Sequence, residues 1–138
     1  MSSRGHFSGK TAWITGASSG IGEALVYELA GRGARLIISS NDPEGLQRVR
    51  KACGDNQERV TCVPFDLSDS QGIKEIAETH VEEAGGIDFL FNIGGISQRA
   101  RIEETPLWLD RKIFEINYFG TIALTKAVLP YMQSKKSG

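Results

Sequence analysis

Three glycines stand where an anion could be held. Gly16, Gly20 and Gly22 fall between a short apolar run, Thr11–Thr15, and a helical pattern that begins at Ile21. A glycine loop there lets the backbone turn tightly and approach a phosphate. The helix that follows offers unpaired N–H groups and the positive end of its dipole. A plain strand-to-helix turn would also use glycine, but the strand before and the helix after are what a phosphate loop requires. A second chemical spacing is Tyr131 and Lys135, i and i+4 on one helix. That spacing could bring the ammonium near the ring, but Tyr131 reads as packing at a helix end and Lys135 as a solvated charge. Cys53 and Cys62 form no CxxC pair and read as small apolar or helix-end residues. His6 reads as tail and His80 as a helix-face residue. Neither has metal-ligand spacing, so no metal is expected.

The elements that position these residues alternate. Thr11–Thr15, Ala34–Ser39, Arg59–Val63 and Ile87–Ile93 read as strands. The last is apolar almost throughout, as a strand covered on both faces would be. Between them, Ile21, Leu25 and Leu29 fall on one helical face. Leu46, Val49 and Cys53 mark a second helix, with Pro43 at its first position. Ile73, Ile76, Ala77, Val81 and Ala84 mark a third, for which Ser68 and Gln71 fit a capping box. Gly31 with Gly33, and Gly85 with Gly86, read as helix stops. A long helical region opens at Thr105-Pro106 and carries Ile113, Ile116, Leu124, Val128 and Leu129, with Pro130 straining its last turn. The order β-α-β-α-β-α-β-α predicts a parallel sheet with right-handed crossovers in a single domain over 1–138. Residues 1–8 and 134–138 read as polar tails.

Composition agrees and excludes much. The 138 residues carry 16 Lys+Arg against 17 Asp+Glu, a net charge of −1, with 40% hydrophobic and 24% charged residues. That is an ordinary globular balance, with no electrostatic footprint for nucleic acid. No apolar run approaches the roughly 20 residues of a bilayer span. Met1–Lys10 lacks the apolar centre of a signal peptide, so no membrane partner and a cytoplasmic location are expected. Glycine is in excess, 16 residues or about 12% against an average near 7%.

The loop is spelled Thr15-Gly16-x-x-x-Gly20-x-Gly22, which resembles the TGxxxGxG cofactor loop of the short-chain dehydrogenase/reductases. The resemblance continues through Asp66-Leu67, Asn92-x-Gly94 and Asn117 in Ile116-Asn117-Tyr118-Phe119-Gly120, and covers residues 8–138. Gly94–Ala100 is similar to the loop of the branch containing member seven. The resemblance implies a Rossmann-type doubly wound sheet of strand order 3-2-1-4, and NAD(P)(H)-dependent oxidoreduction of a small alcohol or carbonyl substrate. It implies that the backbone at Ser18, Ser19, Gly20, Ile21 and Gly22, with Gly16, holds the pyrophosphate and adenosine ribose. Asp66 would accept from the adenine amino group beside Leu67, and Asn92 and Gly94 would line the nicotinamide ribose. Asn117 would be the catalytic Asn that holds a water relay at a helix irregularity. Read without the family, Asp66 is a helix-cap residue, Asn92–Gly94 a strand-end turn, and Asn117 a polar residue in a kink next to Gly120.

Two departures stand out. The family's second Asn after the fourth strand is Ile93 here. At the position that distinguishes NAD from NADP, the family's acid is Ser40 and its arginine is Asn41, and Asp42 lies past the strand end. Serine does not repel a 2′-phosphate as a carboxylate would, and Ser39, Ser40 and Asn41 all donate hydrogen bonds. The expectation is therefore NADP(H) in preference to NAD(H).

The family's Ser, Tyr and Lys lie beyond a glycine that aligns with Gly138, so the chain is expected to lack turnover by itself. A non-catalytic nucleotide-binding module, or an interaction protein, is the alternative function. The fourth strand would become a long apolar edge. Homo-oligomers are expected, through that edge or through residues 106–132.

Overall fold

In the computed structural model, which describes residues 4–138, β1 (Thr11–Thr15), β2 (Arg35–Ser39), β3 (Val60–Cys62) and β4 (Phe89–Phe91) form one parallel sheet. Its order is β3-β2-β1-β4. This is the doubly wound α/β architecture expected from the sequence. All five residues of β1 are buried, because it is central: Ile14 pairs with Ile38 of β2 and with Phe91 of β4.

Period-two alternation sends the strand side chains into two layers. Ala12, Ile14, Leu36 and Ile38 meet α2 (Gly20–Gly31) and α3 (Pro43–Ala52) through Val26, Leu29, Leu46 and Val49. Trp13 and Ile37 meet α4 (Ser70–Ala84) and α6 (Thr121–Lys135) through Ile73, Ala77, Val81, Leu124 and Val128. Each fully buried Val, Ile or Leu contributes about 1.5–3 kcal/mol. The buried Trp13 indole donates to the Ser39 hydroxyl at 2.9 Å.

Several local expectations need correction. Ile21 does not face the core but is 77% exposed. Gly22 takes the inward position, since α2 packs too close to the glycine loop for a side chain there. The expected cap Ser68 gives its N–H and hydroxyl to the Asp66 carboxylate, so Asp69 caps α4 instead, accepting from Gly72 N at 3.2 Å. The long apolar strand is only Phe89–Phe91. It pairs on one side, and past Phe91 the chain bends so that Ile93 N donates to the Phe91 carbonyl.

Neither expected tail is wholly a tail. Met1–Ser3 lie outside the described residues. The segment α1 (Arg4–Phe7) is helical, with Phe7 against the core and the His6 ring 5.9 Å from Phe89. At the other end α6 runs through Pro130 to Lys135. Asp42 caps α3 by accepting from Gly45 N at 2.9 Å, with Pro43 starting the helix as expected. Gly85 ends α4 in the left-handed conformation. The long helical region is three pieces: α5 (Leu107–Phe114), a π turn (Glu115–Gly120) and α6.

Candidate functional site

The strand order reverses at β1, with β2 on one side and β4 on the other. Sheets of this kind leave a crevice there at the carboxyl ends of the strands. The crevice is present, about 600 Å³ counting its open mouth, and runs from Ser40 and Asn41 past Ser18 and Asp66 to Gly94.

Close backbone approach builds its floor. A Cβ on Gly16 would lie 2.8 Å from Gly94 Cα, and one on Gly22 would lie 2.0 Å from the Gly16 carbonyl oxygen. The loop therefore presses on the β4 end, and α2 presses on the loop. Gly20 does a different job. Its φ is +56° with open space around it, so it supplies a left-handed turn at the mouth. Thr15 ties β1 to β4: its hydroxyl accepts from Gly94 N at 3.0 Å. Leu67 wedges between the Gly94 turn and the π turn. A Cβ on Gly94 would meet Leu67 Cδ1 at 2.7 Å, and one on Gly120 the Leu67 carbonyl at 2.1 Å.

Donors without a partner stand beside the crevice. Ser19 is the N-cap of α2 without a side-chain cap bond, and the first α2 amide with a partner is Glu23 N, which donates to Ser19 O at 3.2 Å. The amides of the preceding turn are the unpaired donors every helix start presents. Asp66 keeps its carboxyl below the ordinary carboxylate range, chiefly because the Ser68 amide donates to it and then because the Ser68 hydroxyl does. Its role inside the fold is a local turn, not the α4 cap.

Of the residues expected in the site, Gly16, Ser18, Ser19, Ser40, Asn41, Asp66, Leu67 and Gly94 line the crevice. Gly20, Ile21 and Gly22 form the helix start beside it. Asn92 lies outside it. Its amide donates to the Thr125 hydroxyl at 3.2 Å in a groove between β4 and α6. Asn117 sits in the π turn, and its side chain is spent on one backbone residue: Oδ1 accepts from Ile96 N at 2.8 Å and Nδ2 donates to Ile96 O at 2.7 Å.

Tyr131 and Lys135 face α4, away from the crevice. The Tyr131 hydroxyl donates to Glu82 at 3.2 Å, and the Lys135 ammonium donates to the Gly85 carbonyl, so it is not the free solvated charge expected. Cys53 and Cys62 are free, half-buried thiols pushed up by burial. His80 Nδ1 lies 3.2 Å from a Glu83 carboxylate oxygen, with its ring edge-on to Trp13.

Two residues beside the loop were not signalled by any spacing. Arg48 of α3 forks onto the Glu23 carboxylate, Nη2 to Oε1 at 2.7 Å and Nη1 to Oε2 at 3.1 Å, and Nη2 also donates to the Ser18 carbonyl at 2.8 Å. Tyr27 donates to Glu23 Oε2 at 2.8 Å. The Arg48 and Tyr27 bonds, in that order, hold Glu23 down to about 2 from its ordinary 4.5.

Fold and crevice define a doubly wound α/β sheet with a site at its switch point, and comparison sets its class. Residues 10–138 match the family described as short chain dehydrogenase, and the chain belongs to that family of oxidoreductases. It is 42% identical over 130 residues to human dehydrogenase/reductase SDR family member 7, covering 91% of this chain and 38% of that one. Against the Anopheles gambiae dehydrogenase/reductase SDR family protein 7-like, identity is 40% over 138 residues, covering 96% and 44%. The chain thus spans less than half the length of either curated relative. Their names bear out the branch resemblance of Gly94–Ala100. A short-chain dehydrogenase from Streptomyces avermitilis superposes with a TM-score of 0.85 at 32% identity, covering 94% of this chain and 46% of that one. A metagenomic short-chain oxidoreductase solved in complex with NADP superposes at 0.89 and 28% identity, covering 96% and 60%.

Proposed function

We propose that this chain is the dinucleotide cradle of an NAD(P)(H)-dependent oxidoreductase of alcohols and carbonyls, with NADP(H) preferred. The observation that carries the reading is the glycine loop, whose Gly16, Ser18 and Ser19 line the crevice where Ser40, Asn41, Asp66 and Gly94 converge, with the α2 start beside it. The residues fit such a group: the site is polar at one end, and Gly20 leaves open space where a side chain would stand. A bound nicotinamide dinucleotide would supply or accept a hydride.

The chain's own residues bind and orient. The α2 amides and helix dipole hold a diphosphate. Asp66 retains acceptor capacity for an exocyclic amine. Ser40 and Asn41 donate to a ribose or to its 2′-phosphate, with no carboxylate at Ser40 to oppose it. Asn117 fixes the Ile96 backbone at the far end, and with it the π turn where the relay water of this family would stand. That the metagenomic relative was solved with NADP supports the preference for the phosphorylated form.

Isothermal titration with NADPH and NADH tests the reading. Tighter NADPH binding, lost in Gly20→Val, is the expected result. Tenfold tighter NADH binding would reverse the preference. Absence of binding to either nucleotide would favour an interaction protein built on the same fold.

A further inference from the structure

The segment between Gly16 and Gly20 is bounded by two left-handed glycines, φ +64° and +56°. Two permissive hinges separated by three residues would let Ala17–Ser19 swing as a unit, carrying Ser18 and Ser19 at the crevice wall. Each residue of that segment is tied down once. Ala17 N donates to the Ser39 carbonyl at 3.1 Å, and Ser19 O accepts from Glu23 N. Ser18, the middle residue, is held by Arg48 through its carbonyl.

We propose that Arg48 is a positioning residue for the dinucleotide: its guanidinium, oriented by Glu23, fixes the Ser18 carbonyl and so aims the Ser19 amide of the same peptide plane, at the start of α2, at an anionic diphosphate. This role rests on the reading of the crevice as a dinucleotide cradle.

The geometry suits arginine in particular. Nη2 has two hydrogens, one for Glu23 Oε1 and one for Ser18 O, while Nη1 satisfies Oε2. A planar fork delivers those three bonds in one orientation, and a lysine ammonium does not. The α3 backbone is seated for it. Gly45 lies so close to the loop that a Cβ there would come within 3.0 Å of Ser18 Cβ.

Charge gives a second effect. Glu23 stands in the first turn of α2, where its carboxylate would repel a diphosphate. The Arg48 pair cancels that charge at the entrance. Removing Arg48 therefore frees the loop and exposes an anion beside the anion site.

The test uses the whole 138-residue chain and the variants Arg48→Met and Arg48→Lys. Arg48 is exposed over 57% of its side chain, so both variants should keep the wild-type melting temperature within a few degrees. Titration with NADPH and NADH should show Kd raised about tenfold or more for both nucleotides in Arg48→Met, the worth of a charge-assisted bond. Arg48→Lys should recover little of that loss. Hydrogen exchange of the ligand-free protein should show faster exchange in both variants at Ala17 and Glu23, whose amides donate to the Ser39 and Ser19 carbonyls at either end of the segment, and unchanged β1 amides.

Wild-type binding with an unaltered Kd in Arg48→Met would overturn the role. A loss confined to NADPH would also overturn it, since Arg48 would then be touching the 2′-phosphate. Unchanged exchange at Ala17 and Glu23 would overturn it without reference to any nucleotide. Wild-type protein that binds neither nucleotide would overturn the cradle reading and this role together.

Discussion

Asn117 and Ile96 are joined by two hydrogen bonds between one side-chain amide and one backbone residue, at 2.8 and 2.7 Å. Asn117 therefore pins the turn after β4 to the π turn, 21 residues along the chain. Aspartate at this position keeps the acceptor and loses the donor, leaving a carboxylate against the Ile96 carbonyl. Asn117→Ala should lower stability by about 1–2 kcal/mol, the net worth of two such bonds. Asn117→Asp should cost at least as much at neutral pH. Urea unfolding of the three proteins checks both values, and equal midpoints for wild type and Asn117→Ala would show that the bonds hold nothing.

The tightest approach in the loop is Gly22 against the Gly16 carbonyl. A methyl at position 22 would sit 2.0 Å from that oxygen, which is backbone and has no rotamer to escape into. Gly22→Ala should therefore push α2 off the loop, with a loss of about 1–3 kcal/mol and of dinucleotide binding. Gly20→Ala meets no atom and carries only the left-handed backbone penalty, about 1–2 kcal/mol. The ranking of the two melting temperatures decides the matter, and Gly20→Ala as the less stable protein would contradict it.

The parallel sheet was legible because β1 and β2 are short apolar runs bounded by glycine and polar turns, and local patterning sees them whole, while its strand order was implied only by the family resemblance of the glycine loop. The crevice was legible wherever one stretch of chain makes it, as at Gly16–Gly22 and Asp66-Leu67. It was illegible where side chains from distant elements meet. Arg48 lies on the polar face of α3 and Glu23 in an ordinary first turn, and no spacing joins residues 25 apart. Ile21 was misplaced because its helical phase looks inward, while the close contact at Gly22 rotates the helix start and leaves Ile21 in solvent. Ser68 was misplaced because α4 begins one residue later than the capping-box spacing implies, with Asp69 at the N-cap and Ser68 left in the turn that its two donors make with Asp66.

Glu23 makes a pH prediction of definite sign. Its folded-state value, about 2, lies below its ordinary 4.5. The pair's stabilisation is fully present above the unfolded value and is lost as pH falls toward 2. The stability gap between wild type and Glu23→Gln should be level from neutral pH to about 5, shrink below that, and vanish near 2. Chemical denaturation in a pH series reads the gap directly. A gap that widens on acidification would mean that the pair is not what depresses Glu23.

Self-association should use the apolar surface along α5 and α6. Trp108, Phe114 and Phe119 are 65%, 63% and 48% exposed, and Leu129 is 44% exposed. Surfaces of that composition mark association sites. Light scattering of the 138-residue protein is expected to show a species larger than 15.0 kDa. The double change Trp108→Lys with Phe119→Lys should shift it toward the monomer without lowering the melting temperature. A wild-type monomer at high concentration would end the proposal. Persistent oligomers in the double variant would move the contact to the β4 edge.

Turnover by residues 1–138 needs a proton donor at the crevice, and the tyrosine-lysine pair present does not provide one. Tyr131 faces Glu82 across the α4–α6 contact, and Lys135 is held by the Gly85 carbonyl, not by the tyrosine ring. Partial burial, then the bond to Glu82, pushes the Tyr131 phenol above its ordinary 10, opposite to what acid–base work near neutrality requires. The expected outcome is dinucleotide binding without NADPH oxidation across a panel of ketones. Tyr131→Phe should leave nucleotide affinity unchanged and cost at most about 1 kcal/mol from the lost Glu82 bond. Oxidation of NADPH by the wild-type chain that Tyr131→Phe abolished would make Tyr131 the proton donor and refute this assignment.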